Sequence, residues 1–352
     1  MTPFWVRISI IIIVTGMFYF VLWRFFVLFH NGSKSIPLII SIILAWIAIW
    51  AFFCEWDSEI IDIMSTFAWR LFVLAFLLFL VIIIEYILSL RFKINPRIFV
   101  WIIIAFLGLW AYFSLHPKIT NLNIETDKIE NDVKILLVSD IHTENVMQTF
   151  HINKIIKTIE KEKPDFVIIA WDLMNKPHDS YVKHFSKFKT IEDTPIFAVI
   201  WNHDVMWNPE IVKKIPEISG IKFLNNENLE IAGINLIWII DKSLWWNNSI
   251  NDILNQVELK DDSDLFSLFV THQPIWLEKL QDYPIDLEVA WHTHRGQFYW
   301  MHKVVEWVND YAYGEYKLGD KIAYVTQWIW TWWLPFRLWS QSEIVIINLI
   351  KK

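Results

Sequence analysis

The stretch that decides the fold is KILLVSDIH, Lys134–His142. A short apolar run stops abruptly at Ser139, and a carboxylate and an imidazole follow two residues apart, at Asp140 and His142. Such a run reads as a buried β-strand with polar groups at its end. The same arrangement recurs downstream. Phe166–Ala170 leads into Trp171-Asp172, and Ile196–Ile200 into Trp201-Asn202-His203-Asp204. Leu265–Val270 leads into Thr271-His272, and Leu287–Ala290 into Trp291-His292-Thr293-His294. Further strands are expected over Leu236–Ile240, Ile322–Val325 and Ile344–Leu349. Ile152–Lys161 has apolar residues at helical spacing under a charged outer face. Strands alternating with helices predict an α/β domain whose strands are buried on both faces. Open sheets of that class place their sites just past the carboxyl ends of the strands.

Five strand ends thus deliver aspartates, histidines and one asparagine. A single aspartate there is ordinarily a turn residue, and a single histidine an ordinary surface or core residue. Five such ends in succession call for a common cause. Imidazole, carboxylate and amide oxygen together suit Mn, Fe or Zn. The lone cysteine, Cys54, lies in an apolar run and excludes both a disulfide and a cysteine-based metal site. Two divalent ions about 3.5–4 Å apart, sharing one carboxylate, would stabilise the attacking and leaving oxygens of a phosphate ester. A net charge of −7 gives no basis for nucleic-acid binding.

The order of these blocks resembles the calcineurin-like metallophosphoesterase family, whose pattern runs D-x-H, G-D, G-N-H-D, H and G-H-x-H. The polar residues of all five blocks stand in order between about Val133 and Leu349. The tail from Tyr324 through Pro335-Phe336-Arg337 to Glu343 resembles the closing strands of the bacterial membrane-associated branch. The resemblance implies a four-layer α/β/β/α sandwich. It implies that Asp140, His142 and His294 bind one metal, that Asp172 bridges, and that Asn202, His272 and His292 complete the second site. His203 would then be the general acid, oriented by Asp204, while a metal-bridging hydroxide attacks phosphorus. His116, His151, His178, His184 and His302 are expected at the surface.

The first third of the chain is different. Four apolar stretches, near Ile8–Leu28, Ile36–Cys54, Trp69–Leu90 and Arg97–Leu115, approach the ~20 residues a bilayer crossing requires. The expectation is a four-helix transmembrane bundle over residues 1–119 and a phosphoesterase domain over 120–352, with the boundary near Pro117–Asn123. Glu85, inside the third stretch, is expected to be buried in the bundle. Lys34, Arg91, Lys93 and Arg97 flank the first and third loops, whereas Glu55, Asp57, Glu59 and Asp62 fill the second. The positive-inside rule then places the catalytic domain outside the cytoplasm. The reading is a multi-pass, membrane-anchored phosphohydrolase acting on a phosphomonoester or phosphodiester, with lipid-linked substrates favoured by the anchor. The alternative is a non-catalytic membrane protein with a decayed phosphoesterase domain, although decay would erode the ligands too.

One departure is systematic. The chain holds 23 tryptophans and 8 glycines, where average usage predicts about 25 glycines. Tryptophan stands where the family pattern has glycine, at Trp171, Trp201 and Trp291, and a similar exchange is suggested at Trp238, Trp328, Trp330 and Trp333. An interfacial aromatic belt cannot account for the 15 tryptophans beyond residue 119. The expectation is that UGA is read as glycine in the native host.

Overall fold

The computed structural model describes part of 15–23, scattered positions from 40 to 92, and residues 95–352. Within the last range 142–145, 171–178, 200–208, 225, 240–249, 258–263, 276, 292–298, 328 and 330–340 are excepted. The chain divides into two compact units, Met1–Leu109 and Trp110–Lys352.

Most of the first three expected spans lies outside the described residues. Glu85 is buried, at 3% exposure, as expected. The fourth stretch is helical over Pro96–Leu115 (α1), with part of its side chains outside the description. Counting described residues alone, no helix is long and apolar enough to cross a membrane.

The second unit contains two six-stranded sheets. The first comprises β1 (Lys118–Thr126), β2 (Val133–Ser139), β3 (Phe166–Ala170), β4 (Ile196–Val199), β5 (Lys222–Leu224) and β12 (Glu343–Lys351). Its order is β1-β12-β2-β3-β4-β5, and β2 through β5 run parallel. The second comprises β6 (Glu227–Ile231), β7 (Ile234–Trp238), β8 (Phe266–Val270), β9 (Leu287–Ala290), β10 (Gly314–Leu318) and β11 (Lys321–Val325). Its order is β10-β11-β9-β8-β7-β6, with β7, β8, β9 and β11 parallel.

Side-chain alternation explains the near-continuous apolar runs. Ile135, Leu137, Phe166 and Ile168 face Leu236, Leu268, Leu287 and Val289 across a core between the sheets. The intervening Leu136, Val138, Val167 and Ile169 point the other way. They pack on Ile152, Ile155 and Ile159 of α2 (Val146–Glu162), with Phe185 and Phe188. On the far side of the second sheet, Ile237 and Phe269 pack on Ile253, Leu254 and Leu280. The layers therefore run helix, sheet, sheet, helix. Strands covered on both faces favour apolar side chains throughout, with buried polar exceptions that include Asn235, Ser267 and Glu288 in the second sheet.

Four strands escaped the hydrophobic pattern: β1, β5, β6 and β10. In β1 polar residues alternate with Leu122, Ile124 and Thr126, which are turned inward. This edge strand pairs in parallel with β12 along all nine residues, so the expected boundary segment near Pro117–Asn123 is largely sheet. β7 starts two residues before the expected Leu236. Ala232 and Gly233, at φ 51° and 73°, form the left-handed pair of a two-residue hairpin turn and release the strand at Ile234.

The sheets are joined by more than apolar contact. The Thr326 N–H donates to the Ala290 carbonyl at the end of β9 (2.8 Å), and the Ile329 N–H to the Ser139 carbonyl at the end of β2 (3.2 Å). Three residues of chain reach at most about 10–11 Å, so this strap holds the two strand ends near each other. Glu343, only 1% exposed, anchors it. Its Oε2 accepts the Thr326 hydroxyl (2.9 Å) and the Gln327 N–H (3.1 Å). Its Oε1 accepts the hydroxyls of Thr120 (2.6 Å), Tyr313 (3.1 Å) and Tyr324 (3.1 Å). Truncating a buried carboxylate that serves so many donors leaves them unpaired, typically at about 1–3 kcal/mol each before relaxation. Glu343→Ala should therefore lower unfolding free energy by at least ~3 kcal/mol, read by urea denaturation. Thr120→Val, which removes one donor, should cost about 1 kcal/mol.

Candidate metal centre

The candidate residues follow β2, β3, β4, β8 and β9 in the sequence. Asp140 follows β2 directly, is 1% exposed and has φ 54°. A non-glycine residue in the left-handed region costs about 1–2 kcal/mol, and aspartate is among the side chains that visit it most readily. The turn stops the ladder and leaves a buried carboxyl at the sheet's edge. The Asp140 N–H donates to the Ala170 carbonyl (3.1 Å), which keeps the end of β3 level with it.

In the second sheet, His272 follows β8 and is 4% exposed. The Thr271 N–H donates to the Val289 carbonyl (3.0 Å), and the Trp291 N–H to the His272 carbonyl (3.1 Å). The ladder between β8 and β9 thus continues to the base of the His292-Thr293-His294 segment. The His272 and Trp291 rings stack at 5.9 Å and 11°.

Of the expected residues, Asp140 and His272 are described. His142, Asp172, Asn202, His203, Asp204, His292 and His294 lie outside the described residues. Among the described residues no group of three or more His, Cys, Asp or Glu is placed to hold an ion. The donor types fit the group nonetheless: a buried carboxyl follows β2, which the strap ties to β9, and a buried imidazole follows β8, the strand paired with β9. Two histidines expected at the surface are buried, His151 at 7% and His302 at 5% exposure.

The two described tryptophans of the glycine-to-tryptophan pattern are wholly buried. Trp291 lies in the core between the sheets, and positive φ is not among its features. Left-handed strain therefore does not apply at position 291; what the side chain does is fill space against His272. Trp238 ends β7, and its buried indole N–H has no hydrogen-bond partner among the described residues, an arrangement that costs about 1–3 kcal/mol.

Sequence reasoning missed Glu288. It stands inside the apolar run of β9 and is fully buried. A lone charge in a strand covered on both faces was the available signal. Its Oε1 accepts the Thr271 hydroxyl (3.0 Å) and the Ile275 N–H (2.6 Å). Burial pushes its carboxyl up from 4.5 to about 8, and those two donors only partly oppose the shift.

With this geometry in place, the comparison with known families is decisive: the model of the calcineurin-like phosphoesterases matches residues 133–311. The chain belongs to that family. It is accordingly a metal-dependent phosphoesterase. An uncharacterized metallophosphoesterase of Helicobacter pylori is 27% identical over 259 residues, covering 70% of each chain. One of Campylobacter jejuni is 28% identical over 245 residues, covering 66% of this chain and 63% of the relative. A Danio rerio protein named as a transmembrane protein with metallophosphoesterase domain is 24% identical over 266 residues, covering 66% and 57%.

Glu288 has a consequence for stability. Its folded value lies above the ordinary glutamate value, so the folded state holds the proton more tightly than the unfolded chain. The stability so gained is fully present below pH 4.5 and is lost as pH rises toward about 8. Melting temperature should fall across that window, and Glu288→Gln should flatten the decline. A scanning-calorimetry series across pH for both proteins checks it.

Proposed function

We propose that this phosphoesterase is a membrane-anchored, binuclear hydrolase acting close to the bilayer on a phosphomonoester or phosphodiester, with lipid-linked phosphates the favoured class. What supports the reading is the succession of carboxylate, imidazole and amide residues that follows five apolar strands in the sequence, with Asp140 and His272 buried just past β2 and β8. Members of the family generally use two divalent metal ions. When bound, such ions supply charge neutralisation and activation of water for in-line displacement. In this reading Asp140, His142 and His294 hold one ion, Asn202, His272 and His292 the other, and Asp172 serves both. The neutral oxygen of Asn202 leaves the adjacent His203 available to face substrate. His203 donates its proton to the leaving oxygen, and Asp204 orients its ring.

The membrane part rests on the apolar first third and on α1. Its described side chains Ile98, Trp101, Ile102, Ile104, Leu109 and Tyr112 are each more than half exposed, a run of apolar surface that lipid would cover. Relatives in Danio rerio and Bos taurus are named transmembrane proteins. Loop charges favour an extracytoplasmic catalytic domain. Protease added to spheroplasts should then cut the second unit; protection until lysis would reverse the orientation.

His203→Ala should leave metal content nearly intact and lower turnover by about 10²- to 10⁴-fold, whereas Asp172→Ala should lose metal as well. Metal analysis beside a Mn²⁺-supplemented screen of lipid and nucleotide phosphates reads both. Equal metal loss in the two variants would make His203 a ligand.

We further infer that residues 171, 201 and 291 are glycine in the protein as its host makes it. Support comes from the 23-to-8 ratio of tryptophan to glycine and the position of each tryptophan immediately before a proposed ligand. The stacking of Trp291 on His272 adds weight, because an indole there occupies space beside that ligand. The form with Trp171→Gly, Trp201→Gly and Trp291→Gly should bind Mn²⁺ and hydrolyse phosphate esters better than the tryptophan form. Peptide masses from the native host decide the matter, and tryptophan masses there would refute it.

A further inference from the structure

We propose that Glu288 is a positioning residue for His272, a role that rests on reading His272 as a metal ligand. His272 lies in the segment Thr271–Ile275 between β8 and the short helix Leu277–Lys279. A loop of this kind holds a ligand accurately only if its backbone is tied down on both sides. Toward β9 the ties are the Thr271 N–H to Val289 bond and the Trp291 N–H to His272 bond, at 3.0 and 3.1 Å. The other tie is the Glu288 side chain, on the outer face of β9. One carboxyl oxygen accepts the Thr271 hydroxyl at 3.0 Å and the Ile275 N–H at 2.6 Å. It therefore gathers both ends of the segment onto one fully buried point.

The direction of the side chain excludes direct participation. Leu287 and Val289 face the core between the sheets, so Glu288 faces the outer layer, like its cross-strand neighbour Phe269. It acts through the backbone of the loop. Thr271 and Ile275 are themselves buried, so water does not readily replace the carboxyl oxygen as acceptor. Removing it frees the loop to move, and with it the imidazole at residue 272.

Full-length protein is compared with Glu288→Ala, Glu288→Gln and His272→Ala, in the tryptophan form and with the three glycine replacements. Calorimetric Mn²⁺ titration and 4-nitrophenyl phosphate turnover are the readouts. Glu288→Ala should weaken Mn²⁺ binding at one of two sites by about 10- to 100-fold, as loss of an outer support to a metal ligand does. Turnover should fall in step while KM moves little, and His272→Ala should affect the same site. Glu288→Gln keeps an acceptor oxygen and should recover most of the loss. A folded Glu288→Ala protein with unchanged Mn²⁺ affinity and turnover overturns the proposal. If the parent binds no Mn²⁺, the metal reading itself falls, and the ring resonances of His272 decide. Their displacement in Glu288→Ala upholds positioning, and unmoved resonances overturn it.

Discussion

The strap from Thr326 to Ile329, fixed by Glu343, is the interaction on which the arrangement of the two sheets depends. Apolar packing between sheets is strong but has no direction. Ile135 would lie as comfortably against a second sheet slid by a residue or two. Hydrogen bonds from a short segment to Ala290 on one side and Ser139 on the other allow little such slide. Both acceptors lie just before segments proposed to carry metal ligands, Asp140–His142 and His292–His294. A carboxylate with five donors around it, drawn from β1, β11 and the loops beside them, sets the strap's position.

Two locally costly features lie near this edge. Asp140 adopts a backbone conformation most residues avoid, and Glu288 keeps a carboxyl in a place that favours its neutral form. Neither improves the core, and a sandwich of this size would be more stable with apolar residues in regular conformations there. Departures from locally favourable choices cluster where a protein uses them. The large inter-sheet core offsets their cost. The tryptophans of the glycine-to-tryptophan pattern are a different kind of departure. Trp238 brings a buried N–H with no described acceptor, which serves no evident purpose at the end of a strand.

Much was legible beforehand because central strands buried on both faces are largely apolar. The bounds of Phe166–Ala170 follow for that reason, and those of Leu287–Ala290 follow in spite of Glu288. Edge strands obey no such rule. Lys118–Thr126 alternates polar and apolar residues and gains its identity only from nine paired residues of β12, more than 200 positions away in sequence. His151 and His302 were misjudged for a related reason, since polar neighbours in sequence say little about which side of a helix is covered.

The sequence by itself determined the α/β class, the central strands and the succession of polar residues at their ends, because each follows from local pattern and burial. The family follows from that succession. Only the tertiary structure decided that Ser139 and Ala290 share one strap, that Glu343 holds it, and that Glu288 grips the loop of His272. These depend on which distant strands become neighbours. A carboxylate's partners are set by the sheet order β10-β11-β9-β8-β7-β6 and by the facing of two sheets, and no local pattern contains that information.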